Sequence, residues 1–276
     1  MVVEYEKTQR IFLINSLPKS GTYLAAKFLE EIGVDNSGLH LRKNALWDFK
    51  NRSLDQIISN PDQFKANIPL PVSLARIRSG EFFLAHLEYE MCIENILTQF
   101  NAKHIFLYRK IRDILVSHCR FVCDPRRSNP PSWYVSSLNK AEMFLIYFKN
   151  IGANYLKSIS LQLQWVDSNV QKIIFEDLLG DNGKNKQINS LRILVESVGV
   201  DFRSKDFCDI FKNKCLSAQT RTYSGRRSEM ADFCSDQAES IFVSNGGLDM
   251  ERKLDSAMTA ESQRVSSTPF GKRPMS

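Results

Sequence analysis

The sequence predicts an α/β fold, a central parallel sheet flanked by helices on both faces, and three observations carry that prediction. A short apolar run, Ile11 to Asn15, ends in a polar turn and is followed by apolar residues at helical spacing. The same strand-then-helix alternation recurs further along the chain, which is the pattern of a parallel sheet with helical crossovers. The composition, 43% hydrophobic and 25% charged residues over 276 positions, is that of a globular chain able to build a sizeable core.

The first strand, Ile11 to Asn15 (IFLIN), is continuously apolar rather than alternating, as expected of a strand buried on both faces. After the turn Ser16 to Gly21, the residues Leu24, Ala25, Phe28, Leu29 and Ile32 recur at three- and four-residue intervals. They predict a helix from Thr22 to Ile32 with Gly33 as its C-cap. Phe82 to Ala85 reads as a strand followed by a helix from about Glu90 to Phe100. His104 to Tyr108 precedes a helix from about Arg112 to Val122, and Lys172 to Phe175 precedes one from about Ile188 to Val198. Ala141 to Leu161 has the pattern of one long amphipathic helix. Three stretches read as loops: Gly38 to Pro71, Asp124 to Trp133 with its three prolines and two arginines, and the polar, aperiodic Ser256 to Ser276. Without an internal repeat or a composition break, the expected organisation is one domain over residues 1–255 and a disordered tail over 256–276.

Several function classes are disfavoured. The formal charge of +6, from 37 Lys+Arg against 31 Asp+Glu, suits an anionic ligand but lacks the dense basic stripe of a nucleic-acid protein. No segment approaches the ~20 apolar residues needed to cross a bilayer, and the polar N-terminus lacks the apolar run of a signal peptide. The expected location is therefore cytoplasmic, with the six scattered cysteines as free thiols and no metal site.

The chemistry starts in the loop Leu17-Pro18-Lys19-Ser20-Gly21-Thr22 between the first strand and its helix. The unpaired N–H groups and dipole of a helix start make an anion site. Lys19 adds a full charge, Ser20 and Thr22 add hydroxyls, and Gly21 allows close backbone approach. The loop is not a Walker A motif, whose lysine follows its second glycine; Lys19 precedes Gly21.

PKSGT after a first strand resembles the signature of the sulfotransferases that use 3′-phosphoadenosine 5′-phosphosulfate (PAPS). The resemblance implies a P-loop-like sulfotransferase architecture in which Lys19 contacts the phosphosulfate and stabilises the departing phosphate. Ser20, Gly21 and Thr22 would line the 5′-phosphate. A second similarity is Tyr108-Arg109-Lys110-Ile111-Arg112-Asp113-Ile114-Leu115-Val116-Ser117, which matches the family's Y-R-x-x-x-D-x-x-x-S. It implies that Arg109 and Ser117 hold the 3′-phosphate. Arg109 leaves the C-terminal edge of a strand, where α/β folds bind ligands, and its planar fork suits a phosphate monoester. A third is Ala85-His86-Leu87-Glu88-Tyr89, similar to the family's H-L-P-Y segment, which implies that His86 is the general base, with Glu88 as the other candidate. An ordinary imidazole in that role loses activity as pH falls below about 6.5.

Two further segments resemble the family less closely. Phe175-Glu176-Asp177-Leu178 is similar to Y-E-D-L, implying Phe175 beside the adenine. Ser224-Gly225-Arg226-Arg227-Ser228-Glu229-Met230 resembles K-G-x-x-G-D-W, implying Gly225 and Arg226 at the 3′-phosphate. The resemblance spans roughly residues 10–235. It departs at Leu24, where soluble animal members often have an adenine-stacking tryptophan, and at Leu84, where some have a second lysine. The implied reaction takes a sulfuryl group from PAPS to a hydroxyl or amine of a small-molecule, carbohydrate or lipid acceptor, leaving adenosine 3′,5′-bisphosphate (PAP), with no metal. Readings from other classes are a P-loop-type nucleotide kinase and a non-catalytic PAPS- or PAP-binding protein. His40, Trp47, Phe148 and the Asp124 to Trp133 loop are candidates for bordering the acceptor pocket.

Overall fold

The computed structural model describes residues 11–202, 204–216 and 232–267. Among them, seven strands form one sheet in the order β4-β3-β2-β5-β1-β6-β7. These are β1 (Ile11–Ser16), β2 (Asn36–Arg42), β3 (Ala45–Asp48), β4 (Lys65–Ala66), β5 (Phe82–Ala85), β6 (Ala102–Tyr108) and β7 (Gln171–Ile174). The five strands β2, β5, β1, β6 and β7 run parallel. Beside them, β3 and β4 add an antiparallel edge.

Alternation along each strand divides the core between the two faces of the sheet. Leu13, Phe83, Ala85, Phe106 and Tyr108 point into one apolar cluster, and Phe12, Ile14, Phe82, Leu84, Ile105 and Leu107 into the other. The second face is covered by α1 (Thr22–Glu31), with Ala25, Phe28 and Leu29 buried. The other helices are α2 (Leu54–Ser59), α3 (Leu70–Leu74), α4 (Met91–Gln99), α5 (Ile111–Val122), α6 (Lys140–Tyr147), α7 (Ala153–Leu163), α8 (Phe175–Leu179), α9 (Lys184–Ser197), α10 (Ser204–Ile210), α11 (Asp236–Ser244) and α12 (Gly247–Ser267). Leu191, Leu194 and Val195 of α9 join α1 on the second face, whereas α4, α5, α6, α7, α11 and α12 contribute to the first. The expected α/β architecture, parallel at its centre with helices on both faces, is therefore present.

Three sequence expectations are corrected. The stretch Gly38 to Pro71 is not loop: it holds most of β2 and all of β3, α2 and β4. These strands carry His, Arg and Asp beside their apolar residues, and β3 and β4 are short and lie at the sheet edge, so none has the continuous apolar run that marks β1. The aperiodic Ser256 to Ser276 is helical in its first part, because α12 continues to Ser267. Phe148 does not line the cavity beside the first strand's loop; it is buried in the core beside Phe144. The long helix expected over Ala141 to Leu161 is present as α6 and α7, joined through a π-helical turn, Phe148–Gly152.

Candidate active site

Parallel strands present their C-terminal ends at one edge of the sheet, and the strand order reverses at β1, whose neighbours are β5 and β6. The candidate residues gather at these ends. Arg42 closes β2, His86 follows β5, Lys19 lies in the loop after β1, Arg109 follows β6 and Phe175 follows β7.

The loop after β1 is bent tightly. Ser20 N–H bonds to the Leu17 carbonyl at 3.3 Å, and Lys19 and Gly21 both have positive φ, 67° and 86°. At Gly21 a side chain is excluded twice over, since a Cβ there would overlap the Phe175 ring. Arg109 stacks on the other side of this arrangement. Its guanidinium lies 4.6 Å from the Phe175 ring centroid and donates to the Lys19 carbonyl at 3.3 Å. Phe175 is thus wedged between the loop and Arg109.

Lys19 Nζ sits 4.3 Å from the Phe121 ring centroid. Burial, then the charges of Arg109 and Arg127, lower its pKa to about 7, partly offset by Asp124. Three observations make the loop a fit for a phosphorylated ligand. The first N–H groups of α1 lack intrahelical acceptors. Ser20 Oγ is buried without a hydrogen-bond partner, and so is Arg109 Nε. Arg109 Nε has carboxylates only at longer range, Glu176 at 3.8 Å and Asp113 at 4.0 Å. Phosphate oxygens that bond the hydroxyl and the guanidinium would satisfy the two orphaned groups.

His86 is held from two sides. Its Nδ1 lies 2.8 Å from the Ser16 carbonyl and 3.1 Å from Ser16 Oγ, which in turn bonds Thr22 Oγ1 at 2.6 Å. A carbonyl only accepts, so Nδ1 carries the proton and Nε2 of the neutral ring carries the lone pair. Burial, then Arg42, pulls the pKa down to about 3; Lys19 adds to this and the Ser16 carbonyl opposes it. The expectation that this imidazole titrates near 6.5 is therefore corrected. Glu88, the other candidate base, is half-buried and does not face the cavity that His86 lines.

That cavity, about 170 Å³, joins the loop to His86. Lys19, Gly21 and Thr22 form one wall, and His86, His40 and Arg42 another. His40 accepts or donates a 2.9 Å bond with Tyr23 Oη and packs its ring 4.5 Å from that of His86. The third side is His118 and Phe121 of α5 with Tyr155 of α7. Two tyrosines hold His118: Tyr147 Oη bonds its Nδ1 at 2.8 Å, and Tyr155 stacks on it at 3.6 Å. Eight residues are 2.2 turns of a regular α-helix, which would set these two tyrosines about 80° apart. The wider π turn between them takes up the surplus and lets both face His118.

The structure thus brings Lys19, Gly21, Thr22 and His86 around one cavity, with Ser20, Arg109 and Phe175 packed behind the loop. Ser117 is half-buried on α5 beside His118 and makes no hydrogen bond with the others among the described residues. Gly225 and Arg226 lie outside the described residues. Of the residues offered as bordering an acceptor pocket, His40 and Trp47 line this cavity. Sequence reasoning does not reach Arg42, Tyr23, His118 or Tyr155; the first sits on a strand hidden by its composition, and the last two meet only through the π turn. Among the described residues no group of three or more His, Cys, Asp or Glu could hold a metal ion, and no helix is long and apolar enough to cross a membrane.

A family model described as "Sulfotransferase domain" matches residues 9–194. Among solved structures, mouse sulfotransferase SULT7A1 complexed with PAP superposes with a TM-score of 0.56 at 18% identity, covering 96% of this chain and 91% of that one. Retinol dehydratase in complex with androsterone and inactive cofactor PAP gives 0.54 at 14% identity, covering 86% and 80%. Its complex with retinol and PAP gives 0.52 at 13% identity, covering 86% and 81%. At such identities the likeness is one of fold. No curated protein matches.

Proposed function

Since the chain belongs to the sulfotransferase-domain family, we propose that it transfers the sulfuryl group of PAPS to a hydroxyl or amine of a small acceptor, releasing PAP. The observation that carries this reading is the single cavity that joins the Lys19 loop to His86. PAPS supplies an already activated sulfuryl group, so the protein has to position two partners and manage charge.

In this reading Lys19 lies at the leaving side. As the bond between sulfur and the 5′-phosphate oxygen breaks, the electron pair stays on that oxygen and the ammonium stabilises it. Ser20, Gly21, Thr22 and the start of α1 hold the 5′-phosphate. Arg109 serves the 3′-phosphate, with Ser117, Gly225 and Arg226 as further proposed contacts. Phe175 keeps the loop and Arg109 in register. On the attacking side His86 Nε2 takes the acceptor's proton while the new O–S or N–S bond forms. The negative charge of the donor offsets Lys19 beside it, and so restores part of the basicity that burial and neighbouring cations deny this ring. Neighbours of the same fold were crystallised with PAP, and one with androsterone or retinol, which supports a nucleotide donor and a small-molecule acceptor here.

The test is transfer of label from sulfate-labelled PAPS across a panel of acceptors, with PAP affinity measured on the same preparations. His86→Ala is expected to bind PAP nearly as well as wild type and to lose turnover by ~10²–10⁴, the usual worth of a general base. A well-folded His86→Ala protein with wild-type turnover removes His86 from the mechanism and makes Glu88 the residue to examine.

A further inference from the structure

The cavity contains a cation that the donor does not account for. Lys19 belongs to the phosphate loop, whereas Arg42 closes β2 on the wall shared with His86 and His40. Its guanidinium rests 5.7 Å from the Trp47 ring centroid. Among the described residues no carboxylate pairs with Arg42, and no Asp or Glu lines the cavity. An arginine facing a pocket without acids leaves its hydrogen-bonding fork to the ligand.

The surroundings agree. After burial, Arg42 is the main cause lowering the proton affinity of His86, and it also lowers that of His118 behind burial and Lys19. It opposes the burial that raises Tyr155. Its charge therefore reaches both the base and the α5–α7 wall. Tyr155 Oη is sealed from solvent without a hydrogen-bond partner. Trp47, Phe49, Ile57 and Ile58 supply the apolar remainder. The whole cavity, its Lys19 wall included, is about 170 Å³ against the roughly 150 Å³ void that holds one benzene, so the acceptor end has room for about one ring.

We propose that the acceptor is a compact, one-ring-sized amphiphile with two polar ends: a hydroxyl presented to His86 and a carboxylate held by Arg42, its apolar body lying against Trp47, Phe49, Ile57 and Ile58. The inference rests on the sulfotransferase reading, which defines the acceptor end of the cavity. The carboxylate stays on the acceptor through the transfer, so its effect belongs to binding.

The experiment uses 4-hydroxyphenylacetate and its neutral isostere 4-hydroxyphenylacetamide as probes. Calorimetry measures both against wild type, Arg42→Gln and Arg42→Lys, with saturating PAP and without nucleotide. Wild type is expected to bind the acid about tenfold more tightly than the amide, with the gap narrowing as salt rises. Arg42→Gln is expected to erase the gap while leaving amide and PAP affinities unchanged, and Arg42→Lys to keep most of it. Equal affinity for the two probes in wild type, a preference that survives in Arg42→Gln, or no binding of either probe overturns the proposal. A protein that fails to bind PAP overturns the sulfotransferase reading instead, and the acid–amide gap without nucleotide still decides the role of Arg42.

Discussion

Burial and the charges of Arg42 and Lys19 hold His86 neutral through the range in which an ordinary imidazole titrates, while the same kind of crowding brings Lys19 down to about 7. The two shifts fix the sign of the pH dependence. Below about 7 Lys19 is charged and His86 is still a free base, so kcat/KM is expected to be level from pH ~6.5 down to ~5. Above about 7 Lys19 loses its proton and kcat/KM falls, because this parameter reports the free enzyme. Lys19→Arg, whose guanidinium stays charged, is expected to shift the alkaline fall upward in whatever activity it retains. A profile that instead declines on the acid side near 6.5 would show that His86 titrates like an exposed imidazole. Gly21 makes a second residue-level test. Gly21→Ala adds left-handed strain of about 1–2 kcal/mol and drives a methyl into Phe175. Denaturant unfolding should show at least that loss, and Phe175→Ala in the same chain should relieve the overlap part of it, giving non-additive changes. Lys19, Gly21 and His86 are legible in the sequence because short contiguous motifs carry them. Arg42 is not, because its strand resembles a polar loop.

At the scale of elements, the strands buried on both faces announce themselves. Each of β1 and β6 has a continuous apolar run, and their successor helices α1 and α5 begin within a residue of the positions that periodicity gives. What the sequence hides is the side of the sheet that carries the His40–Arg42 wall of the cavity. There β2 exposes Arg42 and turns His40 toward the pocket, so its apolar pattern is broken by the polar residues that line the cavity. The α6–α7 helix is legible, but its π turn is not, since nothing in a periodicity count distinguishes one surplus residue. That turn brings Tyr147 to His118, and the consequence is testable. Tyr147→Phe removes one buried hydrogen bond and should lower stability by about 1 kcal/mol while leaving PAP affinity unchanged. An unaltered melting temperature would show that the Tyr147–His118 contact does not hold this wall.

Across the whole molecule, five parallel strands deliver Arg42, Lys19, His86, Arg109 and the Phe175 wedge to one edge of one sheet, which explains how residues 156 positions apart, from Lys19 to Phe175, meet around a single loop. The charge supplied there is organic, so transfer is expected to persist in EDTA; loss on chelation that magnesium restores would point to phosphoryl chemistry. The central claim is that this edge recognises a nucleotide by phosphates at both the 5′ and the 3′ positions. The most direct measurement compares the melting shifts given by PAP and by adenosine 5′-monophosphate at equal concentration. PAP at 100 times its dissociation constant is expected to stabilise the protein by about 2.7 kcal/mol, with a clearly smaller shift for the monophosphate and loss of the difference in Arg109→Ala. Equal shifts for the two nucleotides in the wild-type protein would contradict the account.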